Sequence, residues 1–187
     1  MNEFINYIKQ YINLSDEARK QIFDLALVEE VPKGYILLKE GRICERLYFV
    51  VEGTIRTYHY QDGKDITYWI YREDQMLTAW NSFIYQVPAT ESFEVVEDCA
   101  LSSFTKEQRN ALLSKYPILD HFYRLQLEEQ MAAIDEFYKG YFFMTAKEKY
   151  DLLISVFPSV TQIANLKHIA SMLGISQETL SRIRGVR

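Results

Sequence analysis

Cysteine, histidine and long hydrophobic runs are all scarce in this chain of 187 residues. The two cysteines, Cys44 and Cys99, have no C-x-x-C spacing, which argues against a zinc site, an iron–sulfur cluster and a disulfide framework. No stretch approaches the 18 apolar residues of a membrane-spanning helix, and the N-terminal segment lacks a signal-peptide pattern. We therefore expect a cytoplasmic protein with no membrane contact.

Only three histidines occur, and the predicted elements separate His59, His121 and His168. A metal-dependent enzyme of the cupin type, built on a β-roll, needs several histidines and carboxylates on neighbouring strands. No Ser-His-Asp or Cys-His arrangement suited to nucleophilic catalysis is evident either. The sequence therefore predicts no enzyme activity, no metal site and no cofactor.

Excess positive charge is also lacking, because the formal net charge is −5. A protein that coats nucleic acid indiscriminately needs a basic surface, so any such contact must be local. The charge is uneven: residues 161–187 carry a net charge of +3, whereas residues 1–160 carry −8. The C-terminal end is therefore the candidate for a nucleic-acid contact.

Hydrophobic residues make up 48% of the chain and aromatic residues 14%, which is ample for a folded core. Residues 3–12 place apolar side chains on one helical stripe, and Ser15 is expected to cap a second helix. From Val31 onward, glycines and prolines separate short runs rich in Val, Ile, Tyr and Thr, a pattern typical of an antiparallel β domain.

About eight short strands are expected in this domain, enough for a β-roll. Asp62-Gly63 predicts a tight hairpin, and a turn at Glu97-Asp98 is expected to separate strands over residues 91–96 and 100–104. Alternation along residues 55–60 predicts one core face and one more solvated face. The first face carries Ile55, Thr57 and His59, and the second carries Arg56, Tyr58 and Tyr60.

Helices are predicted beyond residue 105. Capping boxes at Thr105–Gln108 and Thr145–Glu148 begin two of them, and a long helix lies between Ile118 and Lys139, with Gly140 as a hinge. A stripe at alternating spacings of four and three residues predicts a coiled-coil seam that joins a homodimer. The alternative is that the stripe packs only on its own β domain. The seam positions are Tyr123, Leu127, Gln130, Ile134, Phe137 and Tyr141.

A helix-turn-helix is predicted in NLKHIASMLGISQETLSRIR. Apolar residues at helical spacing end at Gly174, which suits a sharp turn, and Ser176 can cap the next helix. The outer face of this second helix suits the reading of base edges, because Arg pairs with guanine, Gln with adenine and Glu with cytosine. It carries Gln177, Glu178, Ser181 and Arg182. The alternative is a helix pair within an ordinary bundle.

Three segments together resemble the family of the cyclic-AMP receptor protein and the fumarate–nitrate regulator, the bacterial Crp/Fnr transcription factors. These segments are EGRICERLYFVVEGTIRTYHYQDGKDITYWI, PATESFEVVEDCALSSF and LKHIASMLGISQETLSRIR. The resemblance implies an α+β fold with a cyclic-nucleotide-binding-like β-roll over residues 1–116, a dimerisation helix over 117–140 and a helix-turn-helix domain over 141–187.

The resemblance further implies a homodimer that binds a pseudo-palindromic site on double-stranded DNA, with RNA polymerase as a candidate partner. The family usually adds a β-hairpin wing after its recognition helix, yet little sequence follows Arg182. Phosphate contacts are then expected to fall on basic residues, including Arg187, and on helix N-termini. The implied DNA-binding residues are Lys167, Ser176, Gln177, Glu178, Thr179, Ser181, Arg182 and Arg184.

The stretch DQMLTAWNSFIYQVPATESF departs from relatives that bind cyclic nucleotides. The resemblance places Ala79 and Ala89 where such relatives hold the ribose with a Glu and the phosphate with an Arg. A buried phosphate without a cation is poorly compensated, so cyclic AMP and cyclic GMP are not expected. The candidate lining for another small-molecule effector is Thr78, Trp80, Asn81, Ser82, Thr90 and Ser92.

Alternatives remain open for this sensor half and for the whole chain. The stretch can equally be a short helix filled by its own side chains, with no effector. The chain can also be a scaffold or protein-interaction module that uses a cyclic-nucleotide-type fold, in which case DNA affinity would show no steep salt dependence.

Overall fold

The computed structural model describes residues 2–185 and begins with two helices, α1 (Asn2–Ile8) and α2 (Asp16–Leu25). The predicted apolar stripe of the first helix, Phe4, Ile5, Ile8 and Ile12, is buried against the β domain, although the helix itself ends at Ile8. Ser15 caps α2 as predicted, because its Oγ accepts a hydrogen bond of 3.2 Å from the Ala18 N–H.

Six strands form one antiparallel sheet within the described residues, in the order β1-β6-β3-β4, with β2 paired to β6 and β5 to β3. The strands are β1 (Leu27–Val31), β2 (Ile36–Leu38), β3 (Arg46–Gln61), β4 (Lys64–Tyr71), β5 (Met76–Leu77) and β6 (Ser92–Thr105). A short helix, α3 (Trp80–Tyr85), lies between β5 and β6. The hairpin at Asp62-Gly63 is confirmed, since both residues have positive φ and join β3 to β4.

The prediction of eight strands and of a turn at Glu97-Asp98 was wrong, because β6 runs through that point as one strand of 14 residues. Its pairing with β3 shifts register repeatedly between Val50 and Ile55. At Gly53 the β3 backbone passes so close to β6 that an added Cβ would lie 2.4 Å from the Asp98 carbonyl oxygen. Bulges therefore bend β3 and β6 at points where the sequence predicted that shorter strands end.

The prediction of a solvated face on β3 was also wrong over most of its length. Ile55 and Thr57 are buried as expected, but Arg56 and Tyr58 on the opposite face are buried too. Among residues 55–60, only Tyr60, next to the hairpin, is exposed. The reason is that a helix of the C-terminal half packs on β4 and covers this side of the sheet.

Helices follow β6 to the end of the described chain. They are α4 (Lys106–Lys115), α5 (Pro117–Tyr141), α6 (Ala146–Val156), α7 (Val160–Ile163), α8 (Leu166–Met172) and α9 (Gln177–Gly185). Both predicted capping boxes are present, at Thr105–Gln108 before α4 and Thr145–Glu148 before α6. Gly140 lies inside the last turn of α5, which ends one residue later.

Candidate DNA-binding surface and sensor core

The turn between α8 and α9 has the local chemistry of a helix-turn-helix. Gly174 has a φ of 68°, a conformation that side chains rarely adopt, and this residue ends the first helix. Ser176 begins the second helix, because its Oγ accepts a hydrogen bond of 3.2 Å from the Thr179 N–H. Ile169, Ala170 and Leu180 are buried between the helices.

The predicted base-reading face of α9 is exposed. Leu180 points into the core and Ile183 is half-buried, which leaves the opposite side of the helix free. The exposed side chains are Gln177, Glu178, Ser181, Arg182 and, on the same helix, Arg184. This face therefore does not serve as packing inside a bundle.

The other predicted DNA-binding residues flank this face. Lys167 on α8 and Ser176 before α9 are exposed, whereas Thr179 is half-buried and its Oγ1 accepts a hydrogen bond of 3.3 Å from Arg182. Arg187 lies outside the described residues. A hydrogen bond from Ser176 lowers the pKa of the Glu178 carboxyl group, so this group remains an ionised acceptor suited to an amino group such as that of cytosine.

The buried hydroxyl groups of the predicted effector site bind the chain itself. Thr78 donates to the Arg46 carbonyl over 2.9 Å. Ser82 accepts from the Cys44 N–H over 2.8 Å and donates to the Val87 carbonyl. Ser92 accepts from the Glu40 N–H over 2.9 Å. These bonds place the three residues in the framework of the roll.

The remaining candidate lining contains no charged side chain. Trp80 is half-buried at the start of α3, and Asn81 and Thr90 are exposed. Ala79 and Ala89 are both buried, so neither position supplies the carboxylate or the cation that a cyclic nucleotide requires.

The predicted seam residues divide between two surfaces of α5. Leu127 and Ile134 are about half exposed. Phe137, in contrast, lies against Trp69 of β4 with ring centroids 5.8 Å apart, and the Tyr141 hydroxyl donates to the Met172 carbonyl over 3.1 Å. Of the other two, Tyr123 lies beneath the Arg109 guanidinium and Gln130 is half-buried. Half of the predicted stripe therefore packs on its own chain.

Two apolar residues that the sequence prediction missed complete the exposed stripe. Met131 is 68% exposed and Tyr138 is 56% exposed, and both lie on the same side of α5 as Leu127 and Ile134. We define these four residues as the α5 stripe. The spacing alone could not identify it, because residues 130 and 137 fit the same alternation of three and four as residues 131 and 138.

No helix in the described part of the chain is long and apolar enough to cross a membrane. Likewise, no group of three or more His, Cys, Asp or Glu residues among the described ones is arranged to hold a metal ion.

Residues 28–116 match the family model of the cyclic nucleotide-binding domain. This range contains every strand of the sheet except the first residue of β1, together with α3 and α4. Comparison with curated protein sequences finds no match to this chain.

Solved structures of bacterial regulators share the fold over nearly the whole chain. A protein from Eubacterium rectale ATCC 33656 described as a transcriptional regulator of the Crp/Fnr family is 18% identical, with a TM-score of 0.71, and the match covers 95% of this chain and 85% of that one. The c-di-GMP-responsive global regulator CLP of Xanthomonas campestris is 12% identical, with a TM-score of 0.68 and coverages of 91% and 90%. The catabolite activator protein of Thermus thermophilus is 18% identical, with a TM-score of 0.58 and coverages of 94% and 84%. Likeness at these identities establishes the fold.

Proposed function

We propose that this chain, whose residues 28–116 are a cyclic nucleotide-binding domain within a Crp/Fnr-like fold, is a sequence-specific DNA-binding transcription regulator. The observation that carries the proposal is the exposed polar face of α9, held on a helix-turn-helix by Gly174 and Ser176. Such a face has the donors and acceptors that distinguish base pairs in the major groove.

The regulator acts as a homodimer joined along α5. Exposed apolar side chains at heptad-like spacing on a helix of 25 residues are typical of a helix pair. A two-fold axis along this pair presents two copies of α9, and the matching DNA site is pseudo-palindromic. RNA polymerase is a candidate further partner.

The effector is not a cyclic nucleotide. The alanines at positions 79 and 89 supply no charge, and the buried hydroxyls of Thr78 and Ser82 are engaged with the backbone. The β-roll then either binds an effector of another class or acts as a scaffold without ligand. Native mass spectrometry of the protein purified from its own cells distinguishes the two, since a bound effector adds a discrete mass.

Selection of duplexes from a random library, followed by fluorescence anisotropy, tests DNA binding. Arg182→Ala is expected to lose about 1–3 kcal/mol on the selected duplex and to relax discrimination at one base pair. Lys167→Ala is expected to weaken binding to all sequences evenly and to reduce the slope of log affinity against log salt by about 1.

Lys20→Ala is the matched control, because this exposed lysine lies on α2, far from α9 in the chain, and its loss changes the net charge equally. The proposal fails if the wild type binds the selected duplex no more tightly than a scrambled one and Arg182→Ala changes neither affinity. It also fails if the affinity for DNA does not depend on salt.

A further inference from the structure

Helix α8 packs along β4, which lies at one edge of the sheet. The Thr67 N–H of this strand donates to Ser171 Oγ on α8 over 3.1 Å, and the Ser171 hydroxyl donates to the His168 carbonyl over 2.9 Å. Ile70 of β4 is buried in the hydrophobic core of the C-terminal helices. The first helix of the helix-turn-helix therefore covers an edge strand of the sensor domain.

A charged network lies in the sheet beneath this contact. The Arg56 side chain is almost fully buried and donates to Glu94 over 2.8 Å and to both carboxylate oxygens of Asp65 over 2.6 Å. Arg56 also donates to Thr67 Oγ1 over 2.8 Å, so the network holds the residue whose N–H bonds to Ser171. Burial alone would lower the pKa of Arg56, but these carboxylates outweigh it and raise that pKa.

His168 faces this network from α8. Its side chain is half-buried, and its Nδ1 atom is buried without a hydrogen-bond partner in the described structure. An unpaired lone pair on a neutral ring is tolerable, whereas protonation would turn this nitrogen into a buried charged donor without an acceptor.

The surrounding charges have both signs. Burial lowers the pKa of His168 below its ordinary value of 6.5, and the Arg56 guanidinium and the neighbouring Lys167 act in the same direction. The carboxylates of Asp65 and Glu94 act in the opposite direction but do not reverse the shift.

The β-roll and the C-terminal helices have separate main clusters of buried residues, and Ile70 of β4 belongs to the C-terminal one. A cleft of about 560 Å³ opens between the bend of β3 and β6 on one side and residues 157–159 on the other. The Arg72 guanidinium lies 5.6 Å from the centroid of the Phe157 ring at this cleft. The contact of α8 with β4 is therefore flanked by an open cleft, and Ile70 and the Arg72–Phe157 pair add to it.

We propose that Ser171 and His168 form a latch that holds the C-terminal helices on the edge of the β-roll while His168 is neutral and releases them when His168 is protonated. The latch goes beyond the proposed function, because it requires neither DNA nor an effector. The pKa of His168 is lowered in the docked state, so docking is strongest above about pH 6.5 and weakens as the pH falls below that value. At pH 5.5 the ratio of protonated to neutral imidazole is about ten for an undocked histidine of ordinary pKa. The equilibrium constant for docking is therefore up to about tenfold lower than at high pH.

Amide hydrogen exchange of the full chain without DNA, followed residue by residue and corrected for the intrinsic pH dependence, measures this equilibrium at the Thr67 amide, which bonds to α8. We expect this amide to exchange up to about tenfold faster at pH 5.5 than at pH 7.5 in the wild type. His168→Gln should abolish this pH response. His59→Gln is the control, because His59 lies on β3 with its ring 5.8 Å from that of Tyr68 of β4, and this variant should respond as the wild type does.

Ser171→Ala tests the same contact without titration. It removes the acceptor of the Thr67 N–H and should increase exchange of the Thr67 amide at both pH values. Ser155→Ala is the matched control on α6, where the hydroxyl donates only to the Leu152 carbonyl of its own helix. The proposal is overturned if the wild type exchanges equally at the two pH values. It is also overturned if exchange in His168→Gln responds to pH as it does in the wild type. Equal acid-induced opening of β1 also overturns it, since that result means general unfolding.

Discussion

Gly53 shows how one residue decides the shape of the β-roll. Its φ of 95° and the approach of β6 leave no room for a side chain, since a Cβ would lie 2.4 Å from the Asp98 carbonyl oxygen and 2.5 Å from Cys99 Sγ. The bend that these two strands share separates the part of β3 that pairs with β5 from the part that pairs with β4. A single glycine thus allows β3 and β6 to bend and continue, where the sequence predicted shorter strands.

Gly53→Ala is expected to lower the free energy of unfolding by about 2–5 kcal/mol, because strained backbone and steric overlap add. Gly41→Ala provides the control, since Gly41 has a similar φ of 85° but no atom within 4 Å of the added Cβ. This control should lose only about 1–2 kcal/mol to backbone strain. Urea denaturation monitored by circular dichroism compares the two, and equal losses would contradict the close approach of β3 to β6.

Residues with local signals were predictable from the sequence, and residues that act across the fold were not. Ser15, Gly174 and Ser176 could be identified because a cap or a turn involves only the next few residues. Arg56 was assigned to a solvated face, because its partner Glu94 lies 38 positions away and the covering helix lies farther still. Burial of this kind depends on tertiary contacts that alternation does not encode.

At the scale of elements, α5 has two distinct apolar surfaces. Its first half packs inward through Leu119 and Phe122, and Phe137 near its end contacts β4. The α5 stripe lies elsewhere on the helix, and its four side chains are between 47% and 68% exposed. The helix was predictable from Pro117 and its periodicity, but the choice between two overlapping registers required the position of the β-roll.

Replacing Leu127 and Ile134 together by Glu is expected to raise the dimer dissociation constant at least about 100-fold, because four apolar side chains per dimer leave the interface and charges take their place. Sedimentation velocity over a concentration series measures this change. Phe23→Glu replaces a similarly exposed apolar residue on α2 and should leave the dimer intact. A dimer that persists in the double variant, or a wild-type monomer, would exclude the α5 stripe as the interface.

At the scale of the whole molecule, the two halves of the chain differ in both charge and fold. The acidic part of the chain forms the β-roll and its flanking helices, and the basic end forms the helix-turn-helix. The β-roll, the long helix and the C-terminal helices were all predictable from patterns within short segments. The docking of α8 on β4 was not, because Thr67 and Ser171 lie 104 positions apart and neither carries a local signal for the other.

The central claim is that two copies of this chain present two exposed α9 helices to one stretch of DNA. Sedimentation velocity of the full chain mixed with a duplex selected from a random library tests it most directly. We predict two chains per duplex, and a selected sequence with two-fold symmetry whose half-sites lie about one helical turn, roughly 10–10.5 base pairs, apart. One chain per duplex, or selection of no common sequence, would contradict the claim.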